Sequence, residues 1–160
     1  MKVINVMKMG FTVGIYIDNN CNVDITINSE TVMTCDGTVI LFNAALDGVT
    51  PLEWVMAFVA EPLETVETLE QVLNELELSY AIGDTVYDLI DDYAASDAYS
   101  EEDVALLRGL SPERLQEMFR CTEGVAFIKT RNQYALVWVE KQGGLYETNN
   151  FTSKTQSFSQ

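Results

Sequence analysis

Between Lys8 and Arg108 the chain contains no lysine or arginine, although the same interval contains 20 aspartates and glutamates. Carboxylates in this interval therefore cannot form the usual i,i+4 ion pairs with basic side chains along a helix. Any fold of the interval must depend on apolar packing and local capping, and it must carry mutually repelling charges. The net charge of −16 is a property of this acidic block, because the nine basic residues all lie towards the two ends of the chain.

The rest of the composition is that of a folded protein. The chain has 160 residues, and 48% of them are hydrophobic, which is too apolar for a disordered acidic chain. A chain of this length forms one domain with one core. We predict a single α+β domain over residues 1–145 and a flexible polar tail over residues 146–160, which are rich in Ser, Thr, Asn and Gln.

Alternating apolar and polar residues predict strands in the first quarter of the chain. The run from Val3 to Ile17 and the alternation from Cys21 to Ile27 have the two-residue period of half-buried strands. Asp36-Gly37 separates two further short runs, Thr31–Cys35 and Thr38–Phe42, and this dipeptide is typical of type I′ hairpins. The sequence therefore predicts an antiparallel sheet up to Phe42.

Helix signals follow this region. Thr50-Pro51-Leu52-Glu53 has the form of a capping box and predicts a helix to about Ala60. Pro62 is expected to begin a second helix that ends at Gly83, because apolar residues recur at spacings of three and four along one stripe. Further helices are expected after Asp84, Ser100 and Ser111. The apolar stripe of the second helix consists of Val66, Leu69, Leu73, Leu76 and Tyr80.

Two more strands, Val125–Thr130 and Gln133–Lys141, are predicted on either side of a turn at Arg131-Asn132. The order of strands, helices and strands is typical of the α+β class. We expect an antiparallel sheet that combines the N-terminal strands with the C-terminal hairpin. About four acidic helices are expected to pack on one face of it.

Several enzyme classes are excluded or disfavoured by residue type. The chain has no histidine, which excludes Ser-His and Cys-His nucleophiles and the commonest metal ligand and general base. The triad Asp88, Asp91 and Asp92 resembles a magnesium-binding cluster, but a phosphate substrate would also need nearby basic residues. We therefore predict a non-enzymatic protein with no cofactor and no metal site. A magnesium-dependent enzyme that uses carboxylates remains the third alternative.

Residues 18–24 imitate the ligand spacing of a calcium loop. Val23 stands where such a loop needs glycine, and Ser29 stands where it needs a bidentate glutamate. The alternation of a strand accounts for Val23 better than a calcium loop does. The residues that match the ligand pattern are Asp18, Asn20, Asn22 and Asp24.

The acidic block itself is the strongest candidate for a binding surface. On the predicted second helix, six glutamates from Glu61 to Glu77 would span about 24 Å and place one charge every 4 to 5 Å or so. This density is comparable to the phosphates of one DNA strand, which are about 3.4 Å apart along the axis. The predicted partner-binding residues are Glu61, Glu64, Glu67, Glu70, Glu75, Glu77, Asp84, Asp88, Asp91, Asp92, Asp97, Glu101, Glu102 and Asp103.

In size and acidic composition, mainly over residues 47–103, the chain is similar to inhibitors encoded by phages and mobile elements that imitate nucleic acid against restriction or CRISPR enzymes. The resemblance implies a DNA-mimic inhibitor that occupies the cationic cleft of a nucleic-acid-processing enzyme. The implied partner is a basic nucleic-acid-binding protein, and the chain itself would bind neither nucleic acid nor a membrane. A homodimer is left open.

Two other interpretations remain. An acidic surface also keeps ordinary cytosolic proteins soluble, although such surfaces usually intersperse both signs of charge. Alternatively, the protein inhibits or adapts a host protease or polymerase through an apolar patch around Trp54, Phe58 and Tyr80, with the acids steering encounter. Trp54 is at the same time a candidate for the core.

The compartment is predicted from what the chain lacks. Residues 1–8 do not have the form of a signal peptide, and no apolar run is long enough to span a bilayer. Cys21, Cys35 and Cys121 are odd in number and lack CxxC spacing, which favours buried, reduced thiols over a disulfide. We therefore expect a cytoplasmic protein, in the host cytoplasm if a phage encodes it.

Overall fold

The structure is a computed structural model that describes residues 2–8, 10–96 and 98–142. The α+β class is confirmed, but one strand lies among the helices, and the fourth predicted strand, Thr38–Phe42, belongs to a helix. The strands are β1 Lys2–Lys8, β2 Phe11–Ile17, β3 Val23–Ile27, β4 Glu30–Cys35, β5 Tyr80–Gly83, β6 Val125–Lys129, β7 Tyr134–Trp138 and β8 Glu140–Gln142. The helices are α1 Gly37–Asp47, α2 Pro51–Val55, α3 Glu61–Thr65, α4 Leu69–Glu75, α5 Ile90–Ser96, α6 Glu101–Arg108 and α7 Pro112–Cys121.

The strands form two sheets. The first has the order β1-β2-β3-β4-β8, in which β1 to β4 pair antiparallel and β8 runs parallel to β4. The second has the order β5-β7-β6 and is antiparallel. The C-terminal hairpin thus pairs with β5 in a sheet of its own, and residues 140–142 alone join the first sheet.

The second sheet separates two hydrophobic clusters, because β6 is apolar on both faces. Ala126 and Ile128 pack into a cluster with the first sheet and helices α1 to α4. Phe127, between them in sequence, packs into a second cluster with residues of α5, α6 and α7. A strand that is buried on both faces has a continuous run of apolar residues instead of alternating apolar and polar residues. Val125–Ile128 is such a run.

The hairpin predicted across Asp36-Gly37 is wrong, because this dipeptide begins α1. The Asp36 side chain accepts a hydrogen bond from the backbone N–H of Thr38 at 2.8 Å, as an N-cap residue does. A hydrogen bond from the Thr38 hydroxyl, together with the one from the Thr38 N–H, lowers the pKa of the Asp36 carboxyl. Gly37 is buried, and its N–H donates to Oδ1 of Asn22 at 2.7 Å, which ties the start of the helix to the turn before β3.

The long helix predicted from Pro62 to Gly83 is also wrong. The helix that begins at Pro51 continues through a π-helical turn, Met56–Ala60, and ends at Thr65. Thr68 and Gln71 form a second capping box, which begins the short helix α4. The last residues of the predicted helix, Tyr80–Gly83, pair with β7 as strand β5.

The three cysteines are free thiols with different environments. Cys35 is buried, Cys21 is half-buried and Cys121 is exposed, so the predicted burial is correct for Cys35 and wrong for Cys121. Burial, with a smaller contribution from the charge of Asp24, raises the pKa of Cys35 to about 12. The thiolate is the reactive form, and Cys35 therefore has almost none of it at neutral pH.

This difference predicts site-selective thiol labelling. At about pH 8, a disulfide reagent such as Ellman's reagent should modify Cys121 first, and Cys35 should react only when the protein unfolds. Mass spectrometry of partly labelled protein measures the order. A Cys121→Ser variant is the control and should lose the fastest phase alone. Labelling of Cys35 as fast as that of Cys121 would contradict the buried position of Cys35 at the end of β4.

Candidate functional site

The predicted partner-binding carboxylates lie almost entirely on the surface. Asp97 lies outside the described residues, as does the predicted tail over residues 146–160. Of the other thirteen, Glu75 is half-buried and the rest are exposed. Exposure is expected for carboxylates, because burial of a charged group without a partner is costly.

The straight row of glutamates that the sequence predicted does not exist. Glu61 and Glu64 lie on α3, Glu67 lies on the segment between α3 and α4, and Glu70 and Glu75 lie on α4. Glu77 follows α4 with a left-handed φ of 58°. The predicted spacing along one axis, which matched the phosphates of a DNA strand, is therefore wrong, and the acids instead spread over several short helices.

Helix capping explains part of the acidity. Asp88 accepts a hydrogen bond from the backbone N–H of Thr85 at 3.0 Å, and Asp103 accepts one from Ser100 at 3.2 Å. Glu53 completes the capping box with Thr50, and the hydrogen bonds between them lower its pKa. Negative side chains in the first turn of a helix also interact favourably with its dipole. The carboxylates in the first turns of α4 to α6 and of the 3₁₀ turn Val86–Leu89 are Glu70, Asp88, Asp91, Asp92, Glu101, Glu102 and Asp103.

Tertiary contacts bring some of the predicted residues together. Tyr80 of β5 donates its hydroxyl to Glu70 at 3.1 Å, and Tyr80 and Asp92 line the same shallow cavity. Burial and the hydrogen bond to Glu70 raise the pKa of Tyr80. Glu61 and Glu64 line a groove together with Glu53. Asp84 and the acids at the start of α6 share none of these contacts.

Ion pairs are scarce on this surface. Between side chains that the structure describes, the ion pair is Arg108 with Asp91, with 2.5 Å between Nη2 and Oδ1. Both side chains are largely exposed, and exposed pairs contribute little stability. The other exposed carboxylates repel one another, and dissolved ions screen that repulsion.

Salt should consequently stabilise the protein. Raising NaCl from about 20 mM to about 500 mM screens like charges and should increase the free energy of unfolding by about 1 kcal/mol or more. Urea unfolding at several salt concentrations measures the effect. A variant with four surface glutamates replaced by glutamine should respond less. A stability that is flat or falls with salt would contradict an unpaired acidic surface.

The acidic residues that the structure describes do not converge on a metal-binding geometry. Asp88 and Asp91 of the possible magnesium triad are directed to the Thr85 N–H and to Arg108, respectively. Asp18 accepts hydrogen bonds from the backbone of Asn20 and Asn22, as in a turn. Over residues 2–8, 10–96 and 98–142, no three His, Cys, Asp or Glu side chains form a group that could hold a metal ion.

Trp54 belongs to the core and not to a surface patch. Its side chain is fully buried, its Nε1 donates to Asp47 at 3.1 Å, and its ring lies 5.4 Å from that of Phe58. The proposed apolar patch around Trp54, Phe58 and Tyr80 is therefore wrong, because its central side chain is inaccessible. The core interpretation of Trp54 is confirmed.

A different apolar surface is exposed, and the sequence prediction missed it. It lies on α1, on the turn that follows α1 and on the beginning of the next helix, and we call it the α1–α2 surface. A signal for it was present, because Gly37–Leu46 contains no charged residue within an otherwise acidic block. Its residues are Leu41, Phe42, Leu46, Val49, Leu52 and Met56, with exposed fractions of 37% to 63%.

With this geometry in place, comparison with known proteins adds no further constraint. No protein-family model, no curated protein and no solved structure matches the chain.

The helices of the protein are short. Within the described part of the chain, no single helix is both long enough and apolar enough to cross a membrane. The pair Gly37–Asp47 and Pro51–Thr65 satisfies the length and composition test only jointly, across a bend of 91°.

Proposed function

We propose that the protein is a non-enzymatic inhibitor that occupies the positively charged cleft of a nucleic-acid-processing enzyme. The observation that carries the proposal is the broad set of exposed carboxylates on α3 to α6, with one ion pair among the described side chains. Carboxylates that repel one another on such a surface would be stabilised by a partner that brings lysines or arginines close to them. A cleft that binds nucleic acid has such cations, placed to neutralise phosphates.

The form of the mimicry follows from the corrected geometry. The acids do not follow one helical axis, so the surface imitates the charge of nucleic acid more closely than its regular spacing. Binding would release counterions from both partners and would therefore weaken steeply with salt. We expect the protein to act in the cytoplasm, where free thiols such as Cys121 remain reduced.

The test begins with identification of the partner. The immobilised protein is exposed to lysates of candidate hosts at about 50 mM and about 300 mM NaCl, and recovered proteins are identified by mass spectrometry. We expect nucleic-acid-binding enzymes at low salt only. Duplex DNA should displace each recovered enzyme from the immobilised protein. The protein in solution should inhibit that enzyme's activity on DNA.

Two matched variants locate the surface. The variant Glu67→Gln, Glu70→Gln, Glu101→Gln and Glu102→Gln removes four exposed charges from the proposed site. The control variant Glu30→Gln, Glu113→Gln, Glu117→Gln and Glu123→Gln removes four exposed charges elsewhere. The first should weaken partner binding about tenfold or more, and the second about twofold or less. Equal effects of the two variants, or a complex that still binds DNA in the cleft, would contradict the proposal.

A further inference from the structure

Helix α1 is mostly apolar, with Thr38 and Asn43 as its polar residues and Asp47 at its end. From Gly37 to Leu46 it has no charged residue. A helix with this composition is typical of one that is covered on all sides. α1 thus differs from α6 and α7, which carry charged residues on their exposed faces.

The protein itself covers one side of α1. Val39, Ile40 and Ala44 are buried against the core. Leu41, Phe42 and Leu46 on the other side are 48%, 59% and 63% exposed. A contiguous apolar surface of this kind on a folded protein marks an interaction site more often than a solvated face.

The part of the α1–α2 surface that follows α1 lines an acidic groove. Val49, Leu52, Met56 and Ala57 line a groove of about 630 Å³ together with Glu53, Glu61 and Glu64. The nearby Lys8 donates to the backbone oxygen of Glu64, at 2.8 Å. The groove thus combines apolar side chains with three carboxylates.

We infer that the α1–α2 surface docks a cationic amphipathic helix of the partner protein. Apolar side chains of that helix would pack against Leu46, Leu52 and Met56, and its lysines or arginines would face Glu53, Glu61 and Glu64. An exposed helix face about 16 Å long accommodates two to three turns of a packed helix. The inference rests on the proposed function in one respect, namely that the partner is cationic.

The charge of the protein favours this occupant over two others. A second copy of the chain would bring another net charge of −16 and a second set of groove carboxylates to the interface. An anionic lipid surface would be repelled for the same reason. A cationic amphipathic helix would cover the apolar side chains and pair its basic residues with the carboxylates.

The experiment uses synthetic peptides as probes of the full-length protein. The test peptide has about 18 residues, with Leu and Lys at the spacing of an amphipathic helix. The comparison peptides are a scrambled Leu/Lys sequence, a Leu/Glu helix and oligolysine. Fluorescence anisotropy measures the affinity of each, and backbone amide shifts in NMR spectra locate the site.

We expect the Leu/Lys helix to bind more tightly than every comparison peptide and to shift amides of α1 and α2. Leu46→Gln should weaken it about tenfold, since one buried leucine contributes roughly that much, whereas the matched Leu106→Gln on α6 should change it by less than about twofold. Glu61→Gln with Glu64→Gln should weaken the Leu/Lys helix and not the Leu/Glu helix. Unchanged melting temperatures would exclude misfolding as the cause.

Other results would overturn the inference. Sedimentation that shows a dimer abolished by Leu46→Gln would identify the occupant as a second copy. Tightest binding of the Leu/Glu helix, or of anionic vesicles, would contradict a cationic partner. If oligolysine binds with a steep salt dependence while Leu46→Gln leaves the Leu/Lys helix unaffected, the docking surface is wrong and the proposed function stands. If no cationic probe binds, both are contradicted.

Discussion

Replacing Trp54 with alanine is expected to lower the free energy of unfolding by about 3 to 5 kcal/mol, the usual cost of removing a buried aromatic side chain. The side chain is fully buried, and its ring packs beside that of Phe58. The variant also loses the hydrogen bond from Trp54 to Asp47. Urea unfolding followed by circular dichroism measures the change. The loss is large compared with the total stability of a typical domain.

The control for Trp54 is its neighbour Leu52, which is 42% exposed. Leu52→Ala should cost about 1 kcal/mol or less, because a partly exposed side chain has less apolar area to lose. Trp54→Phe should recover most of the stability and leave partner binding intact. A stable Trp54→Ala protein that no longer binds its partner would instead restore Trp54 to the binding surface.

Replacing Gly37 with alanine is expected to lower the free energy of unfolding by about 3 kcal/mol, at the upper end of the cost of overpacking. An added Cβ would overlap the carbonyl oxygen of Asn20 and lie within 3.0 Å of its carbonyl carbon and 3.1 Å of that of Cys21. These are backbone atoms, and they cannot move without disturbing the turn that Asp18 holds. Denaturant unfolding of the purified variant measures the loss.

Gly109 provides the matched control for Gly37. Its added Cβ would meet no atom closer than 3.5 Å, and its φ is −83°. Gly109→Ala should therefore change the stability by about 0.5 kcal/mol or less. Equal stabilities of the two variants would contradict the close approach of α1 to the β2–β3 turn, and with it the correction of the predicted hairpin.

Local signals in the sequence predicted the starts of helices well. The side chains at Thr50, Ser100 and Ser111 accept hydrogen bonds from the third helical residue in the structure as the sequence suggested. Such caps depend on residues within four positions of one another, so the sequence alone specifies them. Thr68 and Gln71 have the same capping-box pattern. Because this pattern marks the start of a new helix, it shows that the predicted long helix is interrupted before Leu69.

Long-range pairing was the part that the sequence did not predict. Tyr80–Gly83 has an apolar pattern that fits the end of a helix, and its pairing with Tyr134–Val137 decides that it is a strand. Asp36-Gly37 is compatible with a hairpin turn and with a helix start. The contact between Gly37 and Asn22, 15 residues apart, is part of the tertiary arrangement that decides between them.

For the candidate surface, the sequence indicated which residues are exposed but not how they are arranged. Exposure of the carboxylates follows from their charge alone. Their relative positions depend on the breaks between α3 and α4 and on the packing of β5 beside α4, which no periodicity reveals. The α1–α2 surface was missed because Thr38–Phe42 was assigned to a strand of the sheet, so the exposed face of helix α1 was not considered.

The most direct test of the central claim is the salt dependence of binding between the protein and its partner enzyme. The logarithm of the association constant should fall linearly and steeply with the logarithm of the NaCl concentration between about 50 mM and 300 mM. Neutralising Glu67, Glu70, Glu101 and Glu102 should make that slope clearly shallower, and neutralising the four control glutamates should not. An affinity that is independent of salt, or a slope that is the same in all three proteins, would contradict the account.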